Sequence, residues 1–207
     1  MAAVGGCGGG ASDNGEAKKT GAEVAKDAAA ATRAAGSAHI VGKGKSEGKD
    51  FTLDLKVEGD NSSGTGRQDG FTFEIRRVNG VNYVKGPTQY WKSQGASEAT
   101  IATIADKWVS STKSTADSYS LGDLTDGFDD DSDNPFNPTV TKGSVAGKKA
   151  VVLTKKDGSE LYVAATGKPI PLREVDKGDD PGDLMITQVG EKFHITAPEG
   201  AIPAPTG

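Results

Sequence analysis

The chain is short of the residues that build metal sites, disulfides and large aromatic cores. Its 207 residues include one cysteine, two tryptophans and two histidines, and aromatics make up only 6%. A single cysteine excludes an intramolecular disulfide framework and any Cys-rich zinc module. No run of about 18 apolar residues occurs, so no segment reads as a membrane-spanning helix. A basic excess is missing too: 24 basic against 29 acidic side chains give a formal charge of −5, which offers nucleic acid no electrostatic footprint. Apolar residues reach 34%, against roughly 45–50% in compact soluble proteins when glycine is counted. The 29 glycines close most of that gap, and the length allows one glycine-rich domain with tails.

The cysteine is placed distinctively. Val4, Gly5 and Gly6 precede Cys7, and a Gly/Ser/Asp/Asn/Lys stretch without apolar period runs on to residue 20. That stretch reads as a flexible tether. A branched apolar residue, two small ones and a cysteine match the lipobox of bacterial lipoproteins, where the thiol takes a diacylglyceryl group. No basic n-region or full apolar h-region stands before it. The alternative is an incidental thiol in a disordered arm.

Residues 21–35 are rich in alanine, the strongest helix former, and Gly36 stands where a C-cap belongs. Val24, Ala28, Ala31 and Ala35 form a shallow apolar stripe, expected to pack on a sheet edge. From His39 the period becomes two. Phe51, Leu53, Leu55 and Val57 alternate with polar residues, as do Phe71, Phe73 and Ile75. This is the pattern of half-buried antiparallel strands. Asn79-Gly80 is a hairpin signal, and about five strands are expected through Lys85. A helical insert follows, with starts near Pro87 and Ser97 and another turn within residues 118–128. Further strands are expected at 139–144, 149–154, 160–165, 170–175, 183–189 and 193–197, followed by a proline-rich tail. The fold class is α+β with one large curved antiparallel sheet. The organisation is a leader and tether at 1–20, a domain at 21–198 and a tail at 199–207.

Motifs for catalysis do not assemble. Ser110–Lys113, Ser132-Asp133-Asn134 and Lys19-Thr20-Gly21 match β-lactamase strings, but in the wrong chain order. Two Gly-x3-Gly-Lys turns, at 44–49 and 143–148, fall short of a phosphate loop. The acidic run at 129–133 lacks the EF-hand glycine and final acid and reads as a solvated loop. His39 and His194 stand alone in strand patterns. A hydrolase would need a nucleophile brought beside one of them in space. No enzyme, metal or cofactor is expected.

Tyr83-Val84-Lys85-Gly86, Tyr90-Trp91 and Lys107-Trp108-Val109, in this order behind the cysteine and tether, resemble actinobacterial surface lipoproteins of the LolA-like/LppX–LprG type. The resemblance runs from the alanine-rich helix to the last strands. It implies a half-barrel of antiparallel strands, with helices over its concave face and an acyl-chain cavity beneath them. Tyr83, Trp91 and Trp108 match the recurring aromatics. The cavity candidates are then Phe51, Leu53, Phe71, Phe73, Tyr83, Trp91, Ile101, Ile104 and Trp108, with Cys7 as lipid anchor. The implied function is an extracytoplasmic, membrane-anchored carrier of a lipid, glycolipid or acylated protein. The rival is a cell-surface sensor or interaction domain with a filled core and a protein partner.

Overall fold

The computed structural model describes residues 12–46, 48–111, 120–128 and 133–205. Cys7 and residues 129–132 of the acidic run lie outside them.

The first helix follows its sequence closely. α1 spans Gly21–Ala35, opened by a capping box in which the Thr20 hydroxyl accepts from the Glu23 N–H and the Thr20 N–H donates to the Glu23 carboxylate. Gly36 closes it at φ 80°, a left-handed cap that costs a glycine nothing. Its buried face is Val24, Ala25, Ala28, Ala29 and Thr32, not the stripe through Ala31 and Ala35. Small side chains let the helix lie close on the sheet. α1 packs over strands rather than on a sheet edge.

Those strands are β1 (Ser37–Ser46), β2 (Lys49–Glu58), β3 (Asn61–Gln68), β4 (Phe71–Val78), β5 (Val81–Lys85), β6 (Val109–Ser111), β7 (Thr141–Val145), β8 (Lys148–Thr154), β9 (Glu160–Ala164), β10 (Pro171–Asp176), β11 (Gly182–Thr187) and β12 (Ile202–Pro203). They form one sheet in the order β12-β6-β5-β4-β3-β2-β1-β11-β10-β9-β8-β7. Asp69-Gly70, Asn79-Gly80 and Ala146-Gly147 each take positive φ at both positions, the backbone of tight hairpin turns. Between the strands lie α2 (Thr88–Ser93), α3 (Glu98–Ile104) and α4 (Leu121–Asp126). None of these described helices is long and apolar enough to cross a membrane.

The expected curved antiparallel half-barrel is corrected. The sheet is open, with β12 and β7 as its edges, and mixed, because β12 runs parallel to β6 through the pairs Ile202–Val109 and Pro203–Ser110. The helical insert does not roof one concave face either. α1 lies on β1, β8, β9 and β10 with α4 beside it, whereas α2 packs at β4. The cause is the return of the chain's end. Residues 193–197, expected as a strand, have no ladder partner among the described residues. They are held by side chains instead: Glu58 accepts from the N–H groups of Phe193 and His194, and Arg76 donates to the Thr196 carbonyl. This crossing delivers β12 to the edge of β6. A strand carrying Pro203 suits an edge, where a missing N–H does least harm.

The main core lies between α1 and the inner face of the sheet. Leu55, Val57, Val151, Leu153 and Val163 are fully buried there with Val24, and Phe128 and Phe136 close one end. A smaller cluster of Val145, Ala150, Ala164 and Leu172 sits on the outer face. The first residues of the described chain are also fastened. Asn14 donates to the carbonyls of Ala164 and Gly167, and Asp13 bridges to Thr166. The stretch from Ser12 to Thr20, read as tether from composition, is therefore docked on the β9–β10 turn.

Candidate functional site

Strand register sorts the expected liners. On β2 the inner face carries Phe51, Leu53, Leu55 and Val57; on β4 it carries Phe71, Phe73 and Ile75. Four of their cross-strand neighbours on β1 and β3 are glycines. Gly44 faces Phe51, Gly42 faces Leu53, Gly64 faces Leu55, and Gly66 lies between Leu53 and Phe73. At these four positions the inner face is bare backbone where side chains would otherwise stand.

Large side chains lie down on this bare backbone. A Cβ at Gly66 would come within 2.3 Å of the Phe73 ring, and one at Gly42 within 2.4 Å of Leu184. At Gly64 the obstacle is backbone, the Asp54 carbonyl at 2.1 Å. A chain of rings follows: Phe51 and Phe73 have centroids 6.4 Å apart, Phe73 and Tyr90 4.8 Å, Phe71 and Tyr90 6.1 Å, Tyr90 and Trp91 5.0 Å. Such contacts are worth about 0.5–1.5 kcal/mol each beyond burial. Trp91 donates from Nε1 to the Gly86 carbonyl, which fixes α2 at the end of β5.

The other candidates fall elsewhere. Ile101 and Ile104 are buried on α3, which packs on α2. Tyr83 pairs with Arg76 and Ser110, on the face opposite Phe73. Trp108 also lies there, 5.1 Å from the Arg76 guanidinium in a cation–π contact. The structure therefore brings Phe51, Leu53, Phe71 and Phe73 together, with Trp91 at their margin. Ile101 and Ile104 stand behind that group, and Tyr83 and Trp108 lie across the sheet. Tyr90 completes the aromatic tract and was not among the expected liners, although it adjoins Trp91 in sequence.

Two clefts open at the end of this face. One of about 200 Å³ is lined by Gly42, Gly44, Phe51, Leu53, Glu174 and Leu184, among others. The second, about 190 Å³, is lined by Phe128, Phe136, Leu161, Lys155, Glu174 and Asp176, among others. They share Glu174 and Asp176. Glu174 stands on the inner face between Leu184 and Leu161 because a bulge between Pro171 and Arg173 shifts the register of β10. Burial pushes its carboxyl up to about 7; nearby Lys155 opposes the rise and Asp176 adds to it. A carboxyl at the rim of an apolar site that keeps its proton up to about pH 7 offers, in that protonated form, both an O–H donor and an acceptor.

A larger depression of about 840 Å³ lies across the outer face; it is open, and of its charged groups Arg173 pairs with Asp183 and Asp54 with His39, while Lys43 and Arg67 form no ion pair among the described residues. That His39–Asp54 contact, 2.7 Å between Nε2 and Oδ1, sets the ring against a carboxylate on the next strand. His194 reaches Glu58 through its backbone N–H. Among the described residues no three His, Cys, Asp or Glu side chains are placed to hold a metal.

No family model matches the sequence, and no curated protein does. Among solved structures the chain is similar to LprF from Mycobacterium bovis, with a TM-score of 0.57 and 16% identity over 92% of this chain and 100% of that one. MucB aligns over 90% of this chain and 64% of its own, at 19% identity and a TM-score of 0.42, too low to support a structural argument. At 16% identity the LprF likeness shows a shared fold and does not single out the LppX–LprG type.

Proposed function

We propose that the protein is an extracytoplasmic lipoprotein, anchored through Cys7, that holds an acyl chain of a lipid, glycolipid or acylated protein on the inner face of β2–β4. The carrying observation is the tract Phe51–Phe73–Tyr90 laid over the glycine-bare backbone and ending at the clefts beside Glu174. The LprF-like fold supports the reading. A chain hidden there gains about 0.8 kcal/mol per buried methylene and needs no catalysis. Each cleft alone is smaller than the roughly 300–1,000 Å³ of pockets that enclose drug-sized ligands. Uptake therefore requires the Phe73 ring to rise from Gly66 and Tyr90 to follow it. Glu174 then meets the polar end of the ligand. Ile101, Ile104 and Trp91 seat the α2–α3 cover, while the Trp108 carbonyl accepts from the Ile202 N–H of the returning C-terminal segment and Tyr83 faces away from the site.

The second reading is a filled face with a protein partner. It is favoured by one observation: Phe73 already occupies the space over Gly66. Titration of a fluorescent acyl probe into the detergent-free Cys7→Ser chain separates the two. The lipid reading expects saturable uptake, weakened about tenfold by Gly66→Leu, which replaces glycine space equivalent to two methylenes or so. No uptake by the parent chain favours the filled face. Unchanged uptake in Gly66→Leu moves the site away from β3.

A further inference from the structure

We propose that a lysine-rimmed groove beyond the C-terminal end of α1 binds anionic phospholipid headgroups and turns that side of the domain toward the membrane. The groove is open, about 850 Å³, with Lys148, Lys149 and Lys168 around a floor that includes Ile170, Leu172 and Val189. It lies on the opposite side of α1 from the aromatic tract and shares no lining residue with the clefts at Glu174.

Charge complementarity identifies the occupant. Lys19, Lys45, Lys49, Lys85, Lys177 and Lys192 pair with carboxylates. Other lysines such as Lys92, Lys107 and Lys156 form no ion pair among the described residues but lie outside this groove, so its mark is the convergence of three lysines on one lining. Lys148, Lys149 and Lys168 are exposed, and among the described residues none of them forms an ion pair. Among the described residues no carboxylate lines the groove. Asp13 and Glu191, on neighbouring segments, are engaged otherwise: Asp13 accepts from the Gly15 N–H and Glu191 from the Gln188 amide. In a chain of net charge −5, three unpaired lysines around an apolar floor match a surface that is anionic at its headgroups and apolar just beneath.

The path of the chain favours a membrane over an acidic polypeptide. The Ser12 carbonyl accepts from the Gly167 N–H, and the Asn14 N–H donates to the Ala165 carbonyl. Ala164 and Thr166, on the same turn, themselves line the groove. Cys7 is five residues before Ser12, so a lipid on its sulfur lies at most ~18 Å of extended chain from this rim. That orientation rests on the anchor proposed above; the headgroup site does not. With the groove against the bilayer, the clefts at Glu174 face away from it.

Sedimentation of the Cys7→Ser full chain with vesicles tests the site without the anchor. Vesicles of phosphatidylcholine with phosphatidylglycerol should bind it, and phosphatidylcholine alone should not. At roughly fivefold per lysine, K148A/K149A/K168A should weaken binding about 100-fold. K92A/K107A/K156A, with the same charge change at exposed lysines outside the groove, should leave it unchanged. Added salt should abolish the binding. Equal binding to both vesicles, or full binding by the first triple variant, overturns the proposal. Binding to polyglutamate with none to the anionic vesicles also overturns it and reassigns the groove to an acidic polypeptide. Both vesicle types carry acyl chains, so an acyl-chain site would respond to them alike. The difference between them, and its loss in K148A/K149A/K168A, reports the headgroup site alone, and the two readings fail separately.

Discussion

Gly64→Ala is expected to destabilise the protein by about 3 kcal/mol and lower its Tm by roughly 10 °C. The position looks harmless in sequence, an alternating site in a polar strand. In the fold its missing Cβ faces the Asp54 carbonyl at 2.1 Å and the Leu55 Cα at 2.8 Å, both backbone. Rotamer change cannot relieve such contacts, so β2 and β3 must separate at the Leu55–Gly64 pair, in the middle of the core. Gly70→Ala is the control. Its φ is +84° with nothing within 4 Å of a new Cβ, so only the left-handed backbone is strained, at about 1–2 kcal/mol. Gly66→Ala should fall between neutrality and the Gly64 cost, because the obstacle there is the displaceable tip of Phe73. Urea denaturation of the three variants checks the order. A loss at Gly64 no larger than at Gly70 would contradict the packing described for the inner face.

The second large effect is a fall in stability as pH rises from 5 to 8, carried by Glu174. Burial raises its folded-state pKa from 4.5 to about 7, so between those values the folded protein keeps a proton that the unfolded chain has released. The contribution is complete below about 4.5 and is lost as pH rises through 7. The shift sets a ceiling of about 3 kcal/mol, and because the side chain is only half-buried an effect of about 1–2 kcal/mol is expected. The slope is opposite in sign to that of Asp183, whose carboxyl the Arg173 guanidinium holds below its ordinary value and which loses stability only in acid. Glu174→Gln should remove the decline between pH 5 and 8 and make the protein more stable than the parent at pH 8. Parallel profiles for parent and variant would show that Glu174 does not stand among Leu161, Leu184 and Phe51 as described.

Local chemistry made several of these elements legible before any coordinates. Alanine content and Gly36 delimit α1, strict alternation gives β2 and β4, and Asn79-Gly80 and Asp69-Gly70 mark their turns. The aromatic face followed, since Phe51, Leu53, Phe71 and Phe73 share a parity that the register preserves. Long-range geometry was not legible. Residues 193–197 alternate like a strand, but their partners are single side chains on β2 and β4, and β12 pairs through two residues with no pattern of their own. Glu174 was hidden by the bulge. Strict alternation would put it on the same face as Leu172, whereas one extra residue sends Leu172 to the outer cluster and Glu174 inward. The inner glycines were hidden for a different reason: a glycine that makes room for a neighbour's side chain looks, in sequence, like one that makes a turn.

The acyl-chain site itself is tested most directly by native mass spectrometry of the detergent-free Cys7→Ser chain after incubation with a palmitoyl lysophospholipid. Retention of one lipid per chain, reduced about tenfold in Gly66→Leu while both proteins give the same far-UV circular dichroism, is the predicted result. A chain that flies without lipid under conditions that preserve its fold would contradict the account and leave the face over Gly66 as filled core.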